Sequence, residues 1–313
     1  LFLSSYGFNF LSIVVMGLYL QTNSDGEKSP GYINSGRKEG IGAIAQYQLL
    51  LYAICKKLGV NFYNSGFKNI GHSSYTNYSE DEWSNSFTNF FNFSSDFSIE
   101  NKFHFSKINE EFFSFIQENK NSSSKILIYI EPESVLEYGQ LIIEEIYKNK
   151  YLNDLKNNLC FKEKYFSSDF LNISFHIRNI NSEDNSFQDF RELYNKNNSN
   201  YINIVEQLKI VCNEKVKLHI HSQGDQKDFE EFLNYQQESF NIELHINDHP
   251  INDIYHMSHA DLLIMANSSF SWISHLMNYN TTLVRDNFWH TTYPNTIKLD
   301  KNYSFITKKL QIK

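Results

Sequence analysis

With 313 residues and a formal charge of −8, the chain is long enough for two ordinary domains, and it lacks the basic field that bulk attraction to nucleic acid requires. Nucleic acid is excluded as a partner on that ground, and any anionic ligand must be met by local cations. Cys55, Cys160 and Cys212 lie far apart with no metal-ligand spacing, which excludes a disulfide framework and a cysteine-built zinc site.

Asn and Ser are abundant, so the many sequons, one at Asn267-Ser268-Ser269 and another opening a predicted buried strand at Asn172, read as a by-product of composition rather than as glycosylation sites. Residues 1–20 carry no charge and are long enough to span a bilayer. Ser4, Ser5, Asn9 and Ser12 and the missing basic flank weigh against an anchor. Membrane association through residues 1–20 and a plain N-terminal strand at residues 12–20 are both open readings.

After a loop at residues 21–37, residues 38–59 read KEGIGAIAQYQLLLYAICKKLG. Gly40 and Gly42 make a tight entry, an apolar helix follows, Lys56 and Lys57 suit its last turn, and Gly59 stops it. The glycine turn fits either a phosphate cradle or close packing, because the three-glycine dinucleotide pattern is absent. A short strand is expected at residues 60–63. Residues 73–123, rich in Asn, Ser and Phe, read as an elaborated connection with one or two helices. A strand at residues 125–130 and one helix at residues 133–148 follow, and residues 154–168 form a connection that divides the chain into two domains, 1–165 and 166–313.

Beyond the boundary, strands are expected at residues 171–177, 216–222, 242–246, 260–266 and 282–285, separated by helices such as residues 201–213 and 226–236. Alternating strands and helices imply an α/β, doubly wound parallel sheet with its ligands at the carboxyl ends of the strands. There the sequence puts His176 and Arg178, two apart and so on one face of an extended chain. A guanidinium fork suits phosphate, and an imidazole can bond or stack with a base. The next strand ends in Ser222, Gly224 and Asp225, a turn that either caps a helix or binds. Asp253, upstream of the strand at residues 260–266, could accept two hydrogen bonds from the amidine edge of a guanine. That strand ends in Asn267, Ser268, Ser269 and Ser271 and runs into an apolar helix. Hydroxyls and free N–H groups at a helix start either cap it or hold a phosphate. Together these strand ends describe a site for a nucleoside diphosphate. No Asp-x-Asp pair in strand context offers a bridging metal site, so no metal is expected there, and Arg178 and helix N-termini would neutralise the leaving group.

At these residues the chain resembles the fucosyltransferases with a His-x-Arg motif, the superfamily of bacterial α1,2-, α1,6- and protein O-fucosyltransferases. His176-Ile177-Arg178 is similar to the first motif. Asn267-Ser268-Ser269-Phe270-Ser271-Trp272 resembles a run in the α1,2 enzymes. Asp253-Ile254, Ser258, Ala260-Asp261 and Leu263 resemble the α1,6 spacing, and Gly40, Gly42, Gln46 and Ala53 the opening turn and helix of bacterial members.

The resemblance implies a GT-B-like pair of Rossmann-type domains, with acceptor on the first, residues 1–165, and GDP-fucose mainly on the second, residues 166–313. It implies Arg178 on the β-phosphate, His176 and Asp253 on guanine, and Ser269 with Ser268 on the pyrophosphate, with Gly40 and Gly42 closing over them. The reaction implied is an inverting, metal-independent transfer of fucose to a glycan hydroxyl. Where many members continue Arg-Gly-Asp, this chain has Asn179-Ile180-Asn181, leaving Glu183 and Asp184 as general-base candidates that read equally as exposed loop acids. Transfer of another GDP-deoxyhexose and a catalytically silent glycan- or nucleotide-binding protein are the alternatives. A dinucleotide oxidoreductase is disfavoured, because no acidic residue ends a matching second strand.

Overall fold

The computed structural model describes residues 17–22, 40–64, 66–67, 70–71, 78–93, 101–122, 124–161, 165–179 and 198–305. The first half contains β1 (Gly17–Thr22), α1 (Ile41–Leu58), β2 (Asn61–Phe62), α2 (Glu80–Phe90), β3 (Asn101–Phe105), α3 (Glu110–Asn119), β4 (Lys125–Ile130), α4 (Pro132–Leu141), α5 (Ile143–Asn149) and α6 (Asn153–Asn157). The second contains β5 (Leu171–His176), α7 (Ser199–Val211), β6 (Val216–Ser222), a 3₁₀ helix (Gln226–Tyr235), β7 (Phe240–Ile246), α8 (Pro250–His259), β8 (Leu262–Ile264), α9 (Ser269–Met277), β9 (Thr281–Arg285) and β10 (Thr296–Leu299).

The strands form two parallel sheets, ordered β2-β1-β4-β3 and β10-β9-β8-β5-β6-β7. This is the α/β class of two Rossmann-type sheets, GT-B-like, that the sequence led us to expect. Counted from β5, the second sheet has the doubly wound order 3-2-1-4-5-6, whose crevice opens where the winding reverses, between β5 and β8.

Four local expectations change. The single helix at residues 133–148 is two, broken at Ile142, whose φ of −101° and ψ of 16° leave the helical region. Residues 73–123 contain β3, an exposed edge strand on β4, besides α2 and α3. Residues 226–235 wind as a 3₁₀ helix. The expected N-terminal strand is found at Gly17–Thr22, paired with β2 and β4, while residues 1–16 lie outside the described residues. Among the described residues no helix is long and apolar enough to cross a membrane.

Helix α1 is buried on most of its faces because it lies between β1 and β2 on one side and α4 and α9 on the others. Gly59 ends it at φ 65°, donating its N–H to the carbonyls of Cys55 and Lys56. The core around α1 runs on into Ile254 and Met257 of α8 and Trp272, Ile273 and Leu276 of α9, so the two halves share one apolar interior.

The two faces of the second sheet differ in kind. Ile173, Phe175, Leu218, Ile220 and Ile242 build an apolar face with Ile204, Val205 and Leu208 of α7 and with Phe229 and Phe232. Period-two alternation puts Asn172, Ser174 and His176 of β5, Lys217, His219 and His221 of β6, and Glu243 and His245 of β7 on the other face. His256 of α8 covers that face, and Asp261 clasps its start by accepting the Asn172 N–H at 2.8 Å.

Burial holds His219 at a pKa of about 2, His176, His256 and His275 at about 3, and His290 at about 4. These imidazoles stay neutral in the fold and protonate in the unfolded chain near pH 6.5. The unfolded state then binds more protons as pH falls below about 6.5, so stability is full above that value and is lost towards the folded pKa values, by up to about 1.4 kcal/mol per pH unit for each histidine. Asp253, its carboxyl raised by burial, acts with the opposite sign, but it is one group against five. The urea midpoint, followed by circular dichroism, is expected to be level between pH 7 and 8 and to fall steadily below 6.5. A midpoint unchanged down to pH 5 would contradict this.

Candidate functional site

The crevice between β5 and β8 is where the chain gathers its sequence-predicted groups. β5 delivers His176 as its last residue and Arg178 just beyond. β8 is followed by residues 265–267 and by Ser268, the N-cap of α9, whose hydroxyl accepts the Phe270 N–H at 3.1 Å. The same oxygen accepts Nη1 of Arg178 at 3.2 Å. Ser268 therefore caps α9 and holds the guanidinium across the switch point, and its own proton remains for a further acceptor. Ser269, the first residue of α9, is half-exposed. Ser271 is fully buried and donates to the carbonyl of Ala266 at 3.1 Å, which makes it part of the helix start rather than of a binding surface.

His176 is buried, with its ring 5.4 Å from that of Phe270. Burial, then the Arg178 charge beside it, holds it neutral with a pKa of about 3. Its Nδ1 has no hydrogen-bond partner among the described residues, a costly state for a buried polar atom unless a ligand meets it.

From the other half, α1 brings its N-terminus to the same place. Gly40 is its N-cap, and Gly42 lies so close to α9 that a Cβ there would sit 2.5 Å from the backbone nitrogen of Phe270 and 2.7 Å from its Cα. The two helix N-termini, each with the positive end of its dipole and N–H groups that have no partner within their own helix, thus meet beside Arg178.

The remaining residues are used differently. Ser222 donates to the carbonyl of Ile177 at 2.7 Å, tying the ends of β6 and β5. Asp225 caps the 3₁₀ helix by accepting the Lys227 N–H at 3.0 Å, the capping alternative of the sequence reading. The turn between them is fixed by Gly224 at φ 124° and by Asn247, which exchanges two hydrogen bonds of 2.8 Å with the Gly224 backbone. Asp253 lies in α8, buried, with Oδ1 2.8 Å from Nδ1 of His221. Burial raises its carboxyl well above the usual range and pushes His221 down, so both partners favour their uncharged forms. Asp253 is linked to His176 through the sheet, because His221 and His176 are register partners. Glu183 and Asp184 lie outside the described residues.

The structure thus brings together His176, Arg178, Ser268, Ser269, Gly40 and Gly42, sets Asp253 one strand away behind His221, and leaves Ser222 and Asp225 closing their own turns. Sequence reasoning missed His221 as the partner of Asp253 and Phe270 as a wall of the crevice. The alternation of His219 and His221 in β6 was the available signal.

No family model matches the chain, and no curated protein sequence does. Among solved structures, POFUT1 in complex with GDP-fucose is similar at 13% identity and a TM-score of 0.42, over 88% of this chain and 97% of that one. POFUT1 in complex with GDP is similar at 11% identity and a TM-score of 0.42, over 85% and 97%. The POFUT1 apo-form is similar at 13% and 0.37, over 83% and 94%.

Replacing Gly42 with alanine gains helix propensity of about 1 kcal/mol but drives a methyl into backbone, which cannot rotate away. The Gly42→Ala protein is expected to lose about 1–3 kcal/mol of stability, measured by urea denaturation. A stability equal to or above the parent's would show that α1 and α9 do not approach this closely.

Proposed function

We propose that the chain is a glycosyltransferase that moves fucose from GDP-fucose to a glycan hydroxyl, by direct displacement with inversion and without a metal at the donor. The observation that carries this reading is the contact of Arg178 with the Ser268 cap at the switch point, beside the N-termini of α9 and α1. In such a displacement the departing diphosphate gains charge as the glycosidic bond breaks. A guanidinium already oriented by Ser268, with helix N–H groups around it, lowers the energy of that charge most where it is greatest.

We assign the β-phosphate to Arg178, the pyrophosphate to Ser269 and Ser268, and the base to neutral His176 and to Asp253. In this reading Gly40 and Gly42 let the first half approach the donor. Glu183 and Asp184 keep the general-base role suggested by the sequence, taking the proton of the acceptor hydroxyl as its oxygen attacks the anomeric carbon. Asn179, where many similar enzymes have a second arginine, favours one alternative, a binding protein on the same scaffold that holds the nucleotide but does not turn it over. A transferase for another GDP-deoxyhexose would use the same residues.

Calorimetric titration with GDP, UDP and dTDP tests the site. Selective binding of GDP is expected, with at least a tenfold loss in Arg178→Ala, since a hydrogen bond to a charged group is worth about 1.5–3 kcal/mol. Binding of all three nucleotides alike, or of none, would reject the assignment. Hydrolysis of GDP-fucose, but not GDP-rhamnose, separates the fucosyl reading from its alternatives.

A further inference from the structure

We propose that His219, His245 and Glu243 form a binding site for a divalent transition-metal cation of the zinc type, on the polar face of the second sheet. Nδ1 of His219 and Nε2 of His245 are 3.0 Å apart, and Oε2 of Glu243 lies 3.5 Å from the first and 3.9 Å from the second. Ligands about 2.0–2.1 Å from a tetrahedral zinc stand about 3.3 Å from one another, so the three edges already approximate one face of that polyhedron. The geometry follows from the sheet, since His219 and Glu243 are register partners and His245 lies two residues beyond Glu243 on the same face of β7.

The atoms around the three fit the same use. Nδ1 of His245 is 3.2 Å from Oδ2 of Asp248, the outer carboxylate that commonly orients a ligating imidazole and turns its other lone pair to the metal. Lys217 Nζ lies 2.7 Å from Oε1 of Glu243, which leaves Oε2 facing the imidazoles. Tyr165 stacks on His245 at 4.7 Å and Phe166 packs on His219 at 4.9 Å, so these rings are held before any ion arrives. Glu243 is half-exposed on the edge strand and gives the ion a route from solvent.

Away from the crevice, the imidazoles of His219, His221, His245 and His256 need partners, and all but one of their nitrogens have one. His221 meets Asp253 and Ser174, and His256 meets the Asn252 carbonyl and the Tyr165 N–H. The exception among them is Nε2 of His219, buried and without a partner among the described residues. With the His245 proton directed to Asp248, the pair His219–His245 shares one proton. Binding moves that proton from Nδ1 to Nε2 of His219 and opens both facing lone pairs without a net release. Two nitrogens and one carboxylate select zinc-type ions over magnesium or calcium, and three protein ligands leave one position for water. The ion would clamp edge strand β7 to β6 and brace residues 245–249, which lead into α8.

The full chain is titrated with Zn²⁺ against a chromophoric chelator, with Co²⁺ as a spectroscopic probe and Mg²⁺ as a control. One equivalent of Zn²⁺ and a tetrahedral Co²⁺ visible band are expected, with no response to Mg²⁺. His219 is wholly buried, so the half-exposed positions carry the test. Glu243→Gln and Asp248→Asn, each shown by circular dichroism to be folded, are expected to weaken Zn²⁺ about 10–100-fold. Less than one equivalent bound by the parent, or an affinity unchanged in both folded variants, overturns the proposal.

Discussion

The close crossing of α1 and α9 at Gly42 is the constraint on which the arrangement of the two halves depends. A side chain at that position would occupy the backbone of Phe270, so the absence of one lets two helices of different halves meet at backbone distance. Helices packed through ordinary side chains lie 8–10 Å apart. The closer approach brings the N-terminus of α1 to the start of α9, and with it the first half of the chain to the crevice between β5 and β8. The shared apolar core then follows, because α1 is already wedged against α4, β1 and β2.

The second sheet supports this meeting with an unusual interior. One face is the ordinary aliphatic layer. The other carries four histidines on its strands and His256 of α8 over them, and polar groups that are not paired cost more inside a protein than they return. Burial solves part of the problem by keeping His176, His219, His221 and His256 neutral, and neutral rings can donate at one nitrogen and accept at the other. His256 does both through backbone groups, and its ring lies parallel to Tyr165 at 4.2 Å. The face is therefore ordered by directional bonds and stacking rather than by shape alone. Those bonds hold Asp253 behind His221, one strand away from the crevice that His176 borders.

Much of the fold was legible because its signals were local. β6 and β4 fall where the sequence put them, since a period-two alternation in VKLHIHS and an isoleucine-rich run in KILIYI leave little choice. β3 was missed because NKFHF is an exposed edge, with neither an apolar run nor a clean alternation. The break between α4 and α5 was missed because it falls at Ile142, where residues 133–148 carry neither a proline nor a cap signal. In the site, the sequence put His176 with Arg178 and Ser268 with Ser269 at the ends of two strands, and the structure finds them there. The sequence could not say which groups would turn back on the backbone, and Ser222 and Asp225 did.

The serines at the start of α9 make the same point at higher resolution. Capping and binding were open as alternatives, yet one hydroxyl can serve both, because an oxygen with two lone pairs and one proton takes three partners. Ser268 uses its lone pairs on the Phe270 N–H and on Arg178. The cap is thus the device that positions the cation. Ser269 stands beside it in the first turn, half-exposed, where a hydroxyl adds a donor to the free N–H groups of the helix without disturbing that clamp. The two serines do not exchange roles, since the capping geometry needs the extended backbone of Ser268, at φ −154° and ψ 135°, and the helical turn needs the conformation that follows it.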